Sequence, residues 1–204
     1  MKKVLCLGDS NTFGFIPESG KRYDKNTRWS GILAQLAAGR FEIIEAGCNN
    51  RTAFTDNPAG FEQTGCKVLP TLLTKDIDCV ILAIGVNDLQ IFYNPTLEEI
   101  KNGMRRLVDI VREHCPNAEI ILVSPARLTD NIFNGYFRAM FDKMSIEKSL
   151  YLSEIYESIA KEKNCRFADW DKIVTVSPKD GLHLEPEAHK KIAEAMFEIL
   201  YQIF

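Results

Sequence analysis

Short apolar runs alternate along this chain with longer segments in which apolar residues recur every three or four positions. Val4-Leu5-Cys6-Leu7 is a continuous apolar run stopped by Gly8, the pattern of a strand buried on both faces. The same reading places strands at 3–8, 42–46, 78–84, 119–124 and 166–169. After Pro95-Thr96, the residues Leu97, Ile100, Met104, Leu107, Val108 and Val111 fall at helical spacing. Ile192, Met196, Ile199, Leu200 and Ile203 do the same in the last segment, and helices are also expected over 28–38 and 144–163. Strands separated by helices predict an α/β fold with a parallel sheet, helices on both faces and right-handed connections. No repeat, low-complexity tract or linker breaks the pattern, so residues 1–204 are expected to form one domain.

Composition narrows the possibilities. The 204 residues are 46% hydrophobic and 26% charged, which is ordinary for a globular domain with a sizeable core. Net charge is −3 with acids and bases intermixed, and no basic tract points to nucleic acid or an anionic membrane as a partner. The apolar run near the N-terminus spans four residues before Gly8, too short for the core of a signal peptide, and no run approaches a membrane span. A cytoplasmic location is therefore expected. None of the six cysteines forms a Cys-x-x-Cys pair, so neither a structural zinc site nor a thioredoxin-like motif is indicated, and free thiols are expected. Cys48 follows Gly47 and has no assigned role.

Candidate chemistry lies near the two ends. Ser10 stands in Gly8-Asp9-Ser10-Asn11-Thr12-Phe13-Gly14, where the first strand turns into a helix. Open α/β sheets place ligands beyond the carboxyl ends of their strands, and a helix start favours negative charge nearby. Two readings of this segment stand side by side: Ser10 as a nucleophile on the turn, or Asp9, Ser10 and Thr12 as helix caps. Asp180-Gly181-Leu182-His183 sits just before Pro186 opens the last helix. A serine hydroxyl needs an adjacent base, imidazole titrates near neutral pH, and an acid can orient that imidazole.

Two internal segments complete a pattern. Glu42-Ile43-Ile44-Glu45-Ala46-Gly47 is an apolar-rich run ending in glycine, and Val80-Ile81-Leu82-Ala83-Ile84-Gly85-Val86-Asn87-Asp88 ends in Gly-x-Asn-Asp. Taken in order, Ser10, Gly47, Asn87 and His183 resemble the four marker residues of the SGNH, or GDSL-type, hydrolase superfamily, over nearly the whole chain. Arg28-Trp29-Ser30-Gly31-Ile32-Leu33, Asn50-Arg51-Thr52, Asp56-Asn57-Pro58, Gly65 and Leu69-Pro70 resemble its arylesterase and acyltransferase branch. The resemblance implies a flavodoxin-like three-layer sandwich with strand order 2-1-3-4-5. It also implies ester hydrolysis on small-molecule substrates without a cofactor. Ser10 would be the nucleophile, His183 the base and Asp180 its orienter. The oxyanion donors would be the N–H groups of Ser10 and Gly47 and the side-chain amide of Asn87.

Other candidates read as follows. Asp9 and Asp88 suit loop-fixing acceptors, Arg51 favours a structural role over substrate contact, and His114 would complement a helix dipole. A metal site built from Asp180, His183 and His189 matches no familiar zinc spacing and would leave Ser10 idle. Phe13, Phe15 and Phe92, with Ile91 and Tyr93, are expected to line an apolar acyl pocket. The stretch from Leu128 to Met144 either packs on the core or resembles the branch insertion that shapes the entrance and builds homo-oligomer contacts. Asn11, Phe13 and Phe15 stand where the branch often has leucine and tryptophan, so acyl-transfer preference is not carried over. Besides a short-chain esterase, two classes stay open: a lysophospholipase or thioesterase for longer acyl chains, and a non-catalytic flavodoxin-like binding module.

Overall fold

The computed structural model describes residues 1–204. Strands β1 (Lys2–Gly8), β2 (Phe41–Gly47), β3 (Cys79–Ala83), β4 (Glu119–Ser124) and β5 (Arg166–Asp169) form one sheet in the order β2-β1-β3-β4-β5. Every pairing is parallel. This is the α/β architecture and strand order that the resemblance implies.

Side chains alternate across a strand, so each strand feeds two cores. Leu5, Leu7, Val80, Leu82, Ile120 and Leu122 enter one core, which holds the helices α3 (Gly65–Leu72), α4 (Leu97–His114) and α6 (Leu152–Glu162). Val4, Cys6, Cys79, Ile81, Ile121 and Val123 enter the other, beneath α2 (Trp29–Leu36) and the last helix (Pro186–Ile203). The start of α4 is a capping box. The Glu99 N–H donates to Thr96 Oγ1 at 3.2 Å, and the Thr96 N–H donates back to Glu99 Oε2 at 2.7 Å. At its far end, His114 Nδ1 donates to the Ile110 carbonyl at 2.9 Å. All six cysteines are free thiols. No helix is long and apolar enough to cross a membrane.

The expected helix over 144–163 is two helices, α5 (Lys143–Ser149) and α6. Ser149 Oγ turns back to the Ile146 carbonyl at 2.6 Å while accepting the Leu128 N–H at 3.2 Å, and a turn at exposed Leu150 and Tyr151 separates the two helices. The two pieces have different partners. Ser145 of α5 donates to the Leu89 carbonyl at 2.7 Å, whereas α6 packs on α4, β4 and β5. Helix α3 was not expected, since Pro70 lies inside it and removes one of its backbone donors.

The chain leaves β1 toward β2 on one side and later returns to β3 on the other. This reversal opens a crevice at the carboxyl ends of the central strands, where α/β proteins place ligands. Ser10, Gly47 and Asn87 all stand at those ends.

Candidate active site

Ser10 is the first residue of a one-turn helix, α1 (Ser10–Phe13), directly after β1. Asp9 caps that turn by accepting the Asn11 N–H at 2.9 Å. Burial pushes the Asp9 carboxyl up to about 7, against the opposing pull of the Asn11 N–H. The capped turn therefore holds Ser10, itself buried, at the carboxyl end of β1.

Across the crevice, the loop from Ser177 to His183 is tied to itself. The His183 carbonyl accepts the Ser177 N–H at 2.6 Å, and the Ser177 carbonyl accepts the Gly181 N–H at 2.9 Å. Gly181 has φ +67°, and a Cβ there would lie 2.4 Å from Ile132 N, so the loop requires glycine. Asp180 Oδ1 accepts the N–H groups of Leu182 at 3.1 Å and His183 at 3.0 Å. Its other oxygen lies 2.7 Å from His183 Nδ1, and His183 Nε2 lies 2.9 Å from Ser10 Oγ. A carboxylate only accepts, so Nδ1 carries the ring proton and Nε2 presents a lone pair to the Ser10 hydroxyl. Burial alone would raise the Asp180 carboxyl, but the hydrogen bonds from the His183 ring and from the His183 and Leu182 N–H groups outweigh it. They hold the group below the usual carboxylate range.

The Ser10–His183 pair opens into a cavity of about 270 Å³. Asn49, Asn50 and Asn87 line one side; Phe15, Phe137, Met140 and Leu182 line the other. Phe15 stacks on the imidazole with ring centroids 4.3 Å apart, and Phe137 tilts over it at 5.0 Å. A larger groove bounded by Glu18, Tyr136 and Arg138 contains none of these groups.

Gly47 ends β2, the edge strand. The Cys48 N–H donates to the Gly8 carbonyl at 3.2 Å, so strand alternation turns the Gly47 N–H away from β1. A Cβ on Gly47 would lie 2.2 Å from Phe13 N and 2.5 Å from Thr12 C, inside the backbone of α1. Gly47→Ala is therefore expected to destabilise the fold by about 1–3 kcal/mol, read from the urea midpoint. An unchanged midpoint would contradict the close packing of β2 on α1.

Of the three phenylalanines expected to line the pocket, only Phe15 does so. Phe13 and Phe92 are corrected. Phe13 ends α1, and the left-handed Gly14 that follows sends Phe13 and Phe15 to different sides; the Phe13 ring lies under the Arg22 guanidinium at 4.6 Å. Phe92 is 75% exposed, because a turn at Gln90, whose carbonyl accepts the Tyr93 and Asn94 N–H groups, swings it outward. Phe137 and Met140 line the cavity from the 128–144 stretch, while Ile132 and Phe141 of the same stretch are buried in the core. That stretch thus both packs on the core and lines the cavity.

Asp88 accepts the N–H groups of Ala53, Phe54 and Thr55, fixing the loop after β2. His189 Nδ1 accepts the Trp29 N–H at 3.2 Å. Burial, followed by the neighbouring His183, holds the His189 ring down at about 4. No three His, Cys, Asp or Glu side chains converge in an arrangement that could hold a metal ion. Cys48 is half-buried, and Gln63 Nε2 approaches its sulfur at 3.8 Å. Asn11 was noted in the sequence only as a departure from the branch pattern. Its Nδ2 donates to the Leu182 carbonyl at 3.3 Å and ties the Ser10 turn to the His183 loop.

The geometry can be set beside known proteins. A family profile described as GDSL-like lipase/acylhydrolase matches residues 6–191. A carbohydrate acetylesterase from Sinorhizobium meliloti superposes with TM-score 0.93 at 30% identity, covering 100% of both chains. An aryl esterase from M. smegmatis superposes with TM-score 0.92 at 28% identity, also covering 100% of both chains. A lipase/acylhydrolase from Enterococcus faecalis shares the fold at TM-score 0.70 and 17% identity, covering 98% of this chain and 95% of that one. No curated protein matched in sequence. The profile spans most of the chain, the folds coincide end to end, and so the chain belongs to the GDSL-like lipase/acylhydrolase family and is a carboxylic ester hydrolase.

Proposed function

We propose that this hydrolase cleaves short-chain carboxylic esters through an acyl-enzyme on Ser10. The observation that carries the reading is the continuous Asp180–His183–Ser10 hydrogen-bond chain opening into a small, largely apolar cavity. Ser10 Oγ attacks the ester carbonyl as His183 Nε2 takes its proton, and Asp180 stabilises the imidazolium that forms. The tetrahedral oxyanion is met by the Ser10 and Gly47 N–H groups and by Asn87 Nδ2. Collapse breaks the C–O bond and expels the alcohol, which takes the proton from His183. Water then attacks the acyl-enzyme with His183 again as base, releasing the carboxylic acid and restoring Ser10.

Cavity size supports short acyl groups. At about 270 Å³ it lies below the range of pockets that enclose drug-sized ligands, roughly 300–1,000 Å³. Phe15 and Phe137 stand over the imidazole and narrow the space beside it. Two of the superposing proteins are named for carbohydrate acetyl and aryl esters, substrates with a small acyl group or a flat leaving group. The test is kcat/KM for p-nitrophenyl esters from acetate to palmitate, kept below micelle-forming concentrations. The expected maximum lies between acetate and butyrate. A maximum at decanoate or longer would reject the short-chain reading in favour of a lysophospholipase or long-chain thioesterase.

A further inference from the structure

Two buried side chains outside the catalytic chain decide how the oxyanion donors point. Gln90 is 5% exposed, and its Nε2 lies 3.1 Å from Asn87 Oδ1 and 2.8 Å from Asn50 Oδ1. An amide nitrogen has two hydrogens and accepts nothing, so both contacts are donations. Asn87 Oδ1 is thereby occupied. Asn87 Nδ2 donates to the Arg51 carbonyl at 3.1 Å, a group that only accepts. A flipped Asn87 would set Oδ1 against that carbonyl and Nδ2 against Gln90 Nε2, two repulsive contacts. The amide therefore has one orientation, with one Nδ2 hydrogen left over on the cavity side.

Arg51 holds the other end of the network. It is 4% exposed, and its nearest carboxylate, on exposed Glu62, is 3.9 Å away. A buried cation without a close counter-ion is costly, so it needs several good acceptors. Its Nη1 donates to the Ala46 carbonyl at 2.5 Å and the Gly8 carbonyl at 3.1 Å, and its Nε to the Glu62 carbonyl at 2.7 Å. The Ala46 carbonyl shares a peptide plane with the Gly47 N–H. No peptide bond in the chain is cis, so the two groups of that plane point in opposite directions. A guanidinium on the carbonyl therefore fixes and polarises the N–H on the far side. The Gly8 carbonyl lies two residues before Ser10.

We propose that Gln90 and Arg51 are positioning residues that together brace the Asn87 amide and the Gly47 peptide toward the oxyanion. The inference rests on the reading of those two groups as oxyanion donors.

The decisive variant is Gln90→Glu, which keeps the shape but replaces two donated hydrogen bonds with an acceptor. Asn87 then has no good orientation: unturned, its Oδ1 meets the Glu carboxylate, and turned, its Oδ1 meets the Arg51 carbonyl, so Nδ2 loses its fixed place on the cavity side. Gln90→Leu removes the donors without adding that repulsion. Each is compared with wild type, Asn87→Ala and the Asn87→Ala/Gln90→Glu double variant. The measurements are kcat and KM on p-nitrophenyl acetate, affinity for phenylboronic acid as a tetrahedral adduct of Ser10, and melting temperature. For Gln90→Glu, kcat is expected to fall about 10- to 100-fold with KM within threefold, and boronate affinity to weaken in parallel. In the Asn87→Ala background the same change should cost almost nothing, because both act through one amide. Wild-type kcat and boronate affinity in both Gln90 variants would overturn the brace, as would an undiminished loss in the double variant. Failure of both Gln90 variants to fold would also overturn it, in favour of a purely architectural role. If Asn87→Ala itself keeps wild-type kcat, the donor reading of Asn87 falls and takes the brace with it. An impaired Asn87→Ala beside unimpaired Gln90 variants sinks the brace alone.

Discussion

Ser10→Ala is expected to reduce kcat on p-nitrophenyl acetate by at least ~10³-fold while the protein stays folded. The hydroxyl is the only group within hydrogen-bond reach of His183 Nε2, so no neighbouring atom can take over as nucleophile. The substitution removes one oxygen from the start of α1 and leaves the Asp9 cap untouched, because that cap is made to the Asn11 backbone. The stability change should stay near 1 kcal/mol, the usual net contribution of one hydrogen bond. Steady-state turnover, a thermal melt and the intact mass after a fluorophosphonate probe test this together. Wild type should gain one adduct and the variant none. Residual turnover near wild type in folded Ser10→Ala would remove Ser10 from the mechanism.

Asp180→Asn is expected to lower kcat by about 10⁴-fold, because an amide no longer enforces a proton on His183 Nδ1. If the Asn nitrogen faces Nδ1, it donates to that atom and the ring proton moves to Nε2, where the lone pair for Ser10 is needed. The loop itself should survive, since the remaining oxygen can still accept from the Leu182 and His183 N–H groups, as Asp180 Oδ1 does. Acid pH offers a second readout. The Asp180 carboxyl is held below its ordinary value, so it adds stability above the unfolded pKa of ~3.9 and loses that contribution as pH falls through the folded value. Melting temperatures of wild type and Asp180→Asn should therefore differ most near neutrality and converge below about pH 4. A constant gap across that range would mean that the carboxylate is not specially stabilised in the folded protein.

Those two residues were visible in the sequence because each follows a strong local signal. Ser10 comes immediately after a strand that ends at Gly8, and Asp180 and His183 share one short loop before a proline-started helix. Strand order depended on the family resemblance, since periodicity locates strands but does not arrange them. The pocket wall was less legible. Phe13, Phe15 and Phe92 are equally aromatic and equally close to the marker segments, but a left-handed glycine and a tight turn decide which one faces inward. Gln90 and Asn11 also act on partners 40 and 171 residues away, Asn50 and Leu182, through contacts that exist only after the segments that follow β1, β2 and β3 and the last loop have come together. A polar residue buried at a strand end was the only available signal for either, and it does not name the partner. The break at Leu150 was hidden for a similar reason: both halves have helical periodicity, and only their separate packing partners divide them.

The placement of β2 at the margin of the sheet has a consequence for self-association. An open strand edge ordinarily invites another chain to add on, and proteins blunt it with charge, twist or cover. Here Gly47 lies on that margin, its Cα packed against α1 and its N–H turned away from β1. Any foreign strand that zipped along β2 as far as its C-terminal end would compete for this donor. With that N–H serving the oxyanion as proposed above, aggregation by edge pairing and ester hydrolysis would be mutually exclusive uses of the same hydrogen. A molecule recruited into such an aggregate should lose activity before it loses its fold.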